Sequence, residues 1–147
     1  MTTNFKDTVA RLQATMQKAR DEAKEAFLAE LKTIFSNHQE IKVIKWVQYT
    51  PYFSDGDACE FSVQDVIASN YDVVNFWGEY DSEEDEPADL KVYGGYGENE
   101  MHNTDLDALS SFMHSSLGHD VLQFAFGDHV SVTVTAAGVE IDEYEHD

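Results

Sequence analysis

The chain has 147 residues, 42% of them apolar and including nine Phe, seven Tyr and two Trp, which suits one domain with its own core and excludes global disorder. Its 29 Asp and Glu against nine Lys and Arg leave a formal net charge of −20. Phosphate contact needs clustered cations, so this balance argues against direct binding of nucleic acid and favours a basic protein partner.

The charge is divided unevenly. Residues 1–45 hold eight Lys and Arg against six Asp and Glu, a net of +2, whereas residues 46–147 hold one, Lys91, against 23, a net of −22. No cleavable leader and no run of 18 apolar residues stands out, so no membrane span is expected and the cytoplasm, a host cytoplasm for a phage product, is the expected compartment. The lone Cys59 can form no internal disulfide.

From Phe5 the apolar and small residues fall at Phe5, Val9, Leu12, Met16, Ala19, Ala23 and Ala26, a heptad seam, and the register then shifts to Phe27, Leu31, Ile34 and Phe35. Neither Pro nor Gly interrupts residues 4–37. One helix of about 32 residues would run about 48 Å at 1.5 Å per residue, more than a domain of this size covers. It either lies on its own sheet, breaks near Ala19, or meets a second copy through Phe5, Val9, Leu12, Met16 and Ala19.

Ile41–Tyr49 reads as a strand with apolar groups on both faces, and Ala58–Val63 alternates with Cys59, Phe61 and Val63 on one face, making Cys59 an inert core thiol. Thr50 to Asp57 supplies Pro and Asp-Gly turn chemistry between them. Val73–Tyr80 is a third strand candidate, Glu79–Glu86 an exposed acidic loop ending at Pro87, and Gly94–Gly97 a flexible loop after Leu90–Tyr93. Thr104 with Asp107 resembles a capping box for a helix that turns Leu106, Leu109, Phe112, Met113 and Leu117 inward and stops at Gly118. Asp120 would cap a shorter helix ending at Gly127. Val130, Val132 and Val134 alternate with Ser131, Thr133 and Thr135, and Gly138 turns the chain into Val139 and Ile141, a hairpin followed by an acidic tail from Asp142 that frays.

Candidate chemistry is sparse. Trp46, Tyr49, Tyr52 and Phe53 form either an aromatic platform or core plus a packed turn. Asp55, Asp57 and Glu60 lack the further ligands of a calcium loop, and the six histidines show no zinc-like spacing with a cysteine, although His129 and His146 beside Asp128 and Asp147 would meet if the last hairpin folded back. No nucleophile elbow, Walker loop or dinucleotide loop is present. No metal or other cofactor and no catalytic residue is assigned.

Ile44 to Phe61, with its Trp46-Val47-Gln48-Tyr49-Thr50-Pro51-Tyr52-Phe53 core and Asp55-Gly56, together with Phe126 to Thr135 and the ending Tyr144-Glu145-His146-Asp147, resembles a family of uncharacterised proteins encoded by tailed bacteriophages and some bacteria. The resemblance implies a phage or prophage origin and a small protein acting on host machinery. It carries no activity, fold or catalytic residue to these positions.

These observations predict a single α+β domain, 1–147, with an N-terminal helix within 1–37 and an acidic body over 41–147 that holds two further helices and an antiparallel sheet of four or five strands from two hairpins. The expected function is non-catalytic: an acidic inhibitor of a basic host protein, one that binds nucleic acid, acting by DNA mimicry through Glu79, Asp81, Glu83, Glu84, Asp85, Glu86, Glu140, Asp142, Glu143 and Glu145. If Glu79–Glu86 were extended, its six acids would spread over about 26 Å, close to the phosphate spacing of a DNA strand. A self-associating assembly protein, a homodimer through the helical seam, is the alternative, and a small hydrolase or metal enzyme the third.

Overall fold

The central strand is Val43–Tyr49 (β1), which is apolar on both faces and is covered on both. A computed structural model describes residues 4–51, 59–95 and 99–145. Along one edge of β1 run Ser62–Val63 (β2) and Ile67–Ser69 (β3), and Val92–Tyr93 (β4) pairs with β3. Along the other edge run Val130–Thr135 (β5) and then Gly138–Glu143 (β6). The sheet order is β4-β3-β1-β5-β6, every pairing is antiparallel, and the fold is α+β.

Phe5–Asn37 (α1) is unbroken for 33 residues, about 50 Å. Asn4 caps it, its Oδ1 accepting from the Asp7 N–H at 2.8 Å. The register shift seen in the sequence divides the helix. Phe27, Leu31, Ile34 and Phe35 are buried on the sheet, whereas Phe5, Leu12 and Met16 on the first half are 83%, 50% and 55% exposed. Where the helix leaves the body, the Arg20 guanidinium lies 3.6 Å from Asp120 and over the ring of Phe124.

Thr104–Met113 (α2) and Ser116–Phe126 (α3) share the helical face with the second half of α1. The expected helix to Leu117 ends earlier, because Ser115 Oγ accepts from the Gly118 N–H at 3.0 Å and starts a new helix. Gly118 is therefore inside α3 rather than a stop. A Cβ there would sit 1.8 Å from the Phe112 carbonyl oxygen, so only glycine permits the close approach of the two helices. In consequence Leu117 faces outward, and Asp120, expected as a cap, is a mid-helix residue. Asn103, not Thr104, caps α2, accepting from the Leu106 N–H.

Three strand expectations shift. The third strand is Ile67–Ser69; Val73–Tyr80 forms only a bridge between Val74 and Tyr80. The partner hairpin of β1 is reduced to Ser62–Val63, and Cys59 is exposed rather than in the core, because pairing with β1 begins only at Ser62, three residues after it. The last hairpin forms as expected, and Asp142 and Glu143 belong to β6 rather than to a frayed tail. No described helix is long and apolar enough to cross a membrane.

Ile44, Trp46 and Gln48 point to the helices, where Trp46 packs edge-on against Phe27 and Phe126 at 6.0 and 5.7 Å between ring centroids. Gln48 is fully buried and satisfied: its Nε2 donates to the carbonyls of Leu122 and Gly127 at 2.9 and 2.7 Å, and its Oε1 accepts from Trp46 Nε1 at 2.9 Å. Gln48→Leu keeps the volume but leaves the Trp46 indole N–H without its partner and takes one hydrogen bond from each of two carbonyls. Urea denaturation is expected to show a loss of about 3 kcal/mol, with the slope of the transition unchanged.

Candidate partner-binding face

In an antiparallel ladder directly opposed residues share a face. The β1-β5-β6 register therefore aligns Lys45, Thr133 and Glu140 in one row and Val47, Ser131 and Asp142 in the next, all on the face away from the helices. The rows are extended by Tyr49 and Tyr144, whose rings lie 5.6 Å apart. Glu140 and Asp142 thus rise from that outer face two strands, roughly 10 Å, from β1. Glu143, opposite Val130, lies on the helical side, and Glu145 is exposed beyond the strand.

The other margin is residues 70–95. Ile67, Val74, Leu90 and Val92 form a small second core that attaches this segment to the outer face, with Tyr71 and Tyr80 against it. Asn75 Oδ1 accepts from the N–H groups of Trp77 and Glu79 at 2.9 and 3.0 Å, curling the chain where a strand was expected. Gly95, expected in a flexible loop, has φ +75° and is packed so closely that a Cβ would lie 2.3 Å from the Trp77 carbonyl oxygen. This clasp holds Phe76 and Trp77 over the sheet. Trp77 is nevertheless 54% exposed.

Between the margins lies a hollow of about 190 Å³ lined by Val47, Tyr49, Asp65, Phe76, Trp77 and Tyr144, among others. The Asp65 carboxylate is also 3.8 Å from His114 Nε2. Lys45 Nζ sits 4.8 Å from the centre of the Phe76 ring. Burial lowers the pKa of its ammonium, against the opposing pull of Asp72 and Asp81.

The acidic run does not form one extended row. It bends where the Glu84 N–H meets Ser82 Oγ at 3.2 Å, and Glu79, Glu84, Asp85 and Glu86 border a second concavity of about 450 Å³ over Leu90 and Val92; Asp81 and Glu83 are exposed beside it. The β4 and β6 edges are separated by four strand spacings, about 19 Å. The ten acids singled out in the sequence are therefore grouped at two separate margins, and Glu143 turns away from the outer face.

Trp46 belongs to the core, as the core alternative for the aromatic cluster has it, and Tyr49 faces outward. Tyr52, Phe53, Asp55, Asp57, His146 and Asp147 lie outside the described residues, and Glu60 is exposed. Among the described residues no group of three or more His, Cys, Asp or Glu is arranged to hold a metal ion. The seam residues lie elsewhere, on the projecting half of α1, where Val9 is half-buried and Ala19 exposed. An apolar groove of about 550 Å³ separates Leu28, Leu31 and Phe35 of α1 from Val134, Ala137 and Val139 of the last hairpin. Phe76 and Trp77 were missed in the sequence, although an aromatic pair between Asn75 and Gly78 is the signal of a displayed turn. Comparisons with protein-family models, with curated proteins and with solved structures find no match.

Asp128 braces this face. Its carboxylate accepts from the Thr50 N–H at 2.7 Å, the Thr50 hydroxyl at 2.6 Å and the His129 N–H at 2.9 Å, joining the end of β1 to the start of β5. Burial raises its pKa, but the hydrogen bonds from Thr50, with the charge and N–H of His129, outweigh burial and hold it below the ordinary 3.8. The carboxylate's contribution to stability is thus complete above 3.8 and is lost as pH falls through the lowered folded-state value. Denaturation followed across acidic pH is expected to show a shallower acid limb in Asp128→Asn than in the parent.

Proposed function

We propose that the protein is a non-catalytic binder that occupies a basic surface on another protein. In the phage setting implied by the sequence resemblance, that partner is a host nucleic-acid-binding protein. The observation that carries this reading is the outer sheet face, where a half-exposed Trp77, its backbone packed against Gly95, stands in one of two acidic margins and faces the other. Aromatic anchors within a complementary field are what interfaces use for affinity, and summed charge sets the rate of encounter.

The partner's surface would otherwise hold DNA, so the protein and DNA compete for it. Binding is expected to weaken steeply with salt. Replacing Glu83, Glu84, Asp85 and Glu86 together by Gln or Asn, or Glu140 and Asp142 likewise, should slow association with little change in dissociation, as read by surface plasmon resonance. A shift of plain duplex DNA by the protein alone at moderate salt would contradict the proposal.

A second reading is favoured by the exposed seam of α1. Phe5, Leu12 and Met16 form an apolar strip on a helix that extends past its own core, which suits a homodimer or an assembly role. Light scattering at tens of micromolar is expected to give a dimer mass that Leu12→Asp or Met16→Asp reduces to a monomer. A monomer mass for the parent would remove this reading and leave the first intact.

A further inference from the structure

We infer that the free edge of β6 takes an extended segment of the basic partner as a further antiparallel strand, one in which apolar residues alternate with Lys or Arg. The inference rests on the binder reading and names how the partner is held.

The edge is open. β4, at the other end of the sheet order, is covered by the chain that follows it: the Val92 N–H donates to the Asn99 carbonyl at 2.7 Å, and the Val92 carbonyl accepts from the Met101 N–H at 2.8 Å. Among the described residues β6 pairs with β5 alone, through six consecutive residue pairs without a bulge, and all six of its residues are exposed. The Tyr144 N–H donates to the His129 carbonyl at 2.8 Å, which fixes the alternation of that ladder. Gly138, Glu140 and Asp142 therefore direct their backbone groups to β5. Val139, Ile141 and Glu143 direct theirs outward, where no described group hydrogen-bonds to them. Such a row is a template for strand addition.

The side chains select the occupant. On the helical face Val139 and Ile141 are 40% and 46% exposed, and Val139 borders the apolar groove opposite Leu28, Leu31 and Phe35. On the outer face stand Glu140 and Asp142. Pro and Lys, which commonly guard an edge, are absent from β6. Its acids guard it against its own copy instead: pairing about a two-fold axis at Ile141 would set Glu140 of each copy opposite Asp142 of the other, and directly opposed like charges are destabilising. A strand with apolar residues opposite Val139 and Ile141 and cations opposite Glu140 and Asp142 satisfies both faces. Its direction follows the sheet, in which every pairing is antiparallel.

The probe is a fluorescein-labelled Lys-Val-Lys-Val-Lys-Val peptide, read by anisotropy, with Glu-Val-Glu-Val-Glu-Val as its control. The expected result is saturable micromolar binding of the first and none of the second. In the antiparallel ladder the valines, opposite Val139 and Ile141, turn their N–H groups to β6, so N-methylation of the valine amides should abolish binding and N-methylation of the lysine amides should leave it. Ile141→Pro removes an N–H that faces away from β5; the circular dichroism should stay that of the parent while the peptide binds about tenfold more weakly, the scale of one lost hydrogen bond. Glu140→Gln combined with Asp142→Asn should weaken binding about threefold. Any other ranking of the two methylated peptides, measured on the parent protein, would overturn the inference even if Ile141→Pro failed to fold. So would equal binding of the lysine and glutamate peptides, or no saturation at hundreds of micromolar. The variant neutralised at Glu83, Glu84, Asp85 and Glu86, measured against the partner and not the peptides, decides the binder reading separately.

Discussion

The structure depends on the buried amide of Gln48. β1 is the strand that every other layer touches, and Gln48 is the point where its inner face meets the end of α3. A polar side chain with no exposure is tolerated there because each of its hydrogen-bonding groups has a partner: the Trp46 indole, the Leu122 carbonyl and the Gly127 carbonyl. The Leu122 carbonyl lies in the last full turn of α3 and the Gly127 carbonyl just past its end, where Gly127 closes the helix with φ +96°. Trp46 is oriented by the same amide and in turn receives the rings of Phe27 and Phe126. One side chain therefore sets the strand, a helix end and the aromatic centre of the core.

The outer face follows from this placement. With Ile44, Trp46 and Gln48 committed to the helices, Val43, Lys45, Val47 and Tyr49 must face the other way, and they need cover. The 70–95 segment supplies it over one half of the sheet, through Ile67, Val74, Leu90 and Val92. It does not reach β6. What remains exposed on that face is β6, with Glu140 and Asp142, on one side and Trp77 with the acids of the 70–95 segment on the other, while Val47 and Ser131 between them are buried. Part of the −22 charge of residues 46–147, including Glu140 and Asp142, thus shares a surface with the aromatic hollow, and that coincidence supports a partner chosen by charge and anchored by a ring.

Much of the fold was legible from residue pattern, and the misses have identifiable causes. The long helix was readable because nothing between Asn4 and Asn37 breaks it, and the change of register at Phe27 marked where packing begins. The last hairpin was readable because Val and Thr alternate around a Gly turn. The helix break at Ser115 was not, since a buried glycine inside a helix looks like a stop until the helix it crosses is known. β3 was missed because three residues buried on both faces carry no alternation, and Val73–Tyr80 was overestimated because β-branched and aromatic residues also stabilise a curled turn held by Asn75. Cys59 was placed inside on alternation alone, and the strand begins only three residues after it. For the site, the acids were visible and their division between two margins was not, because spatial grouping depends on strand order. Trp77 was overlooked because exposure cannot be read from residue type.

Hydrogen exchange on the complex with a basic protein captured from host lysate tests the central claim most directly. The account predicts new protection in two separated stretches, 73–81 and 138–145, with the first half of α1 unchanged. Protection confined to residues 5–20, with the outer face exchanging as in the free protein, would contradict it.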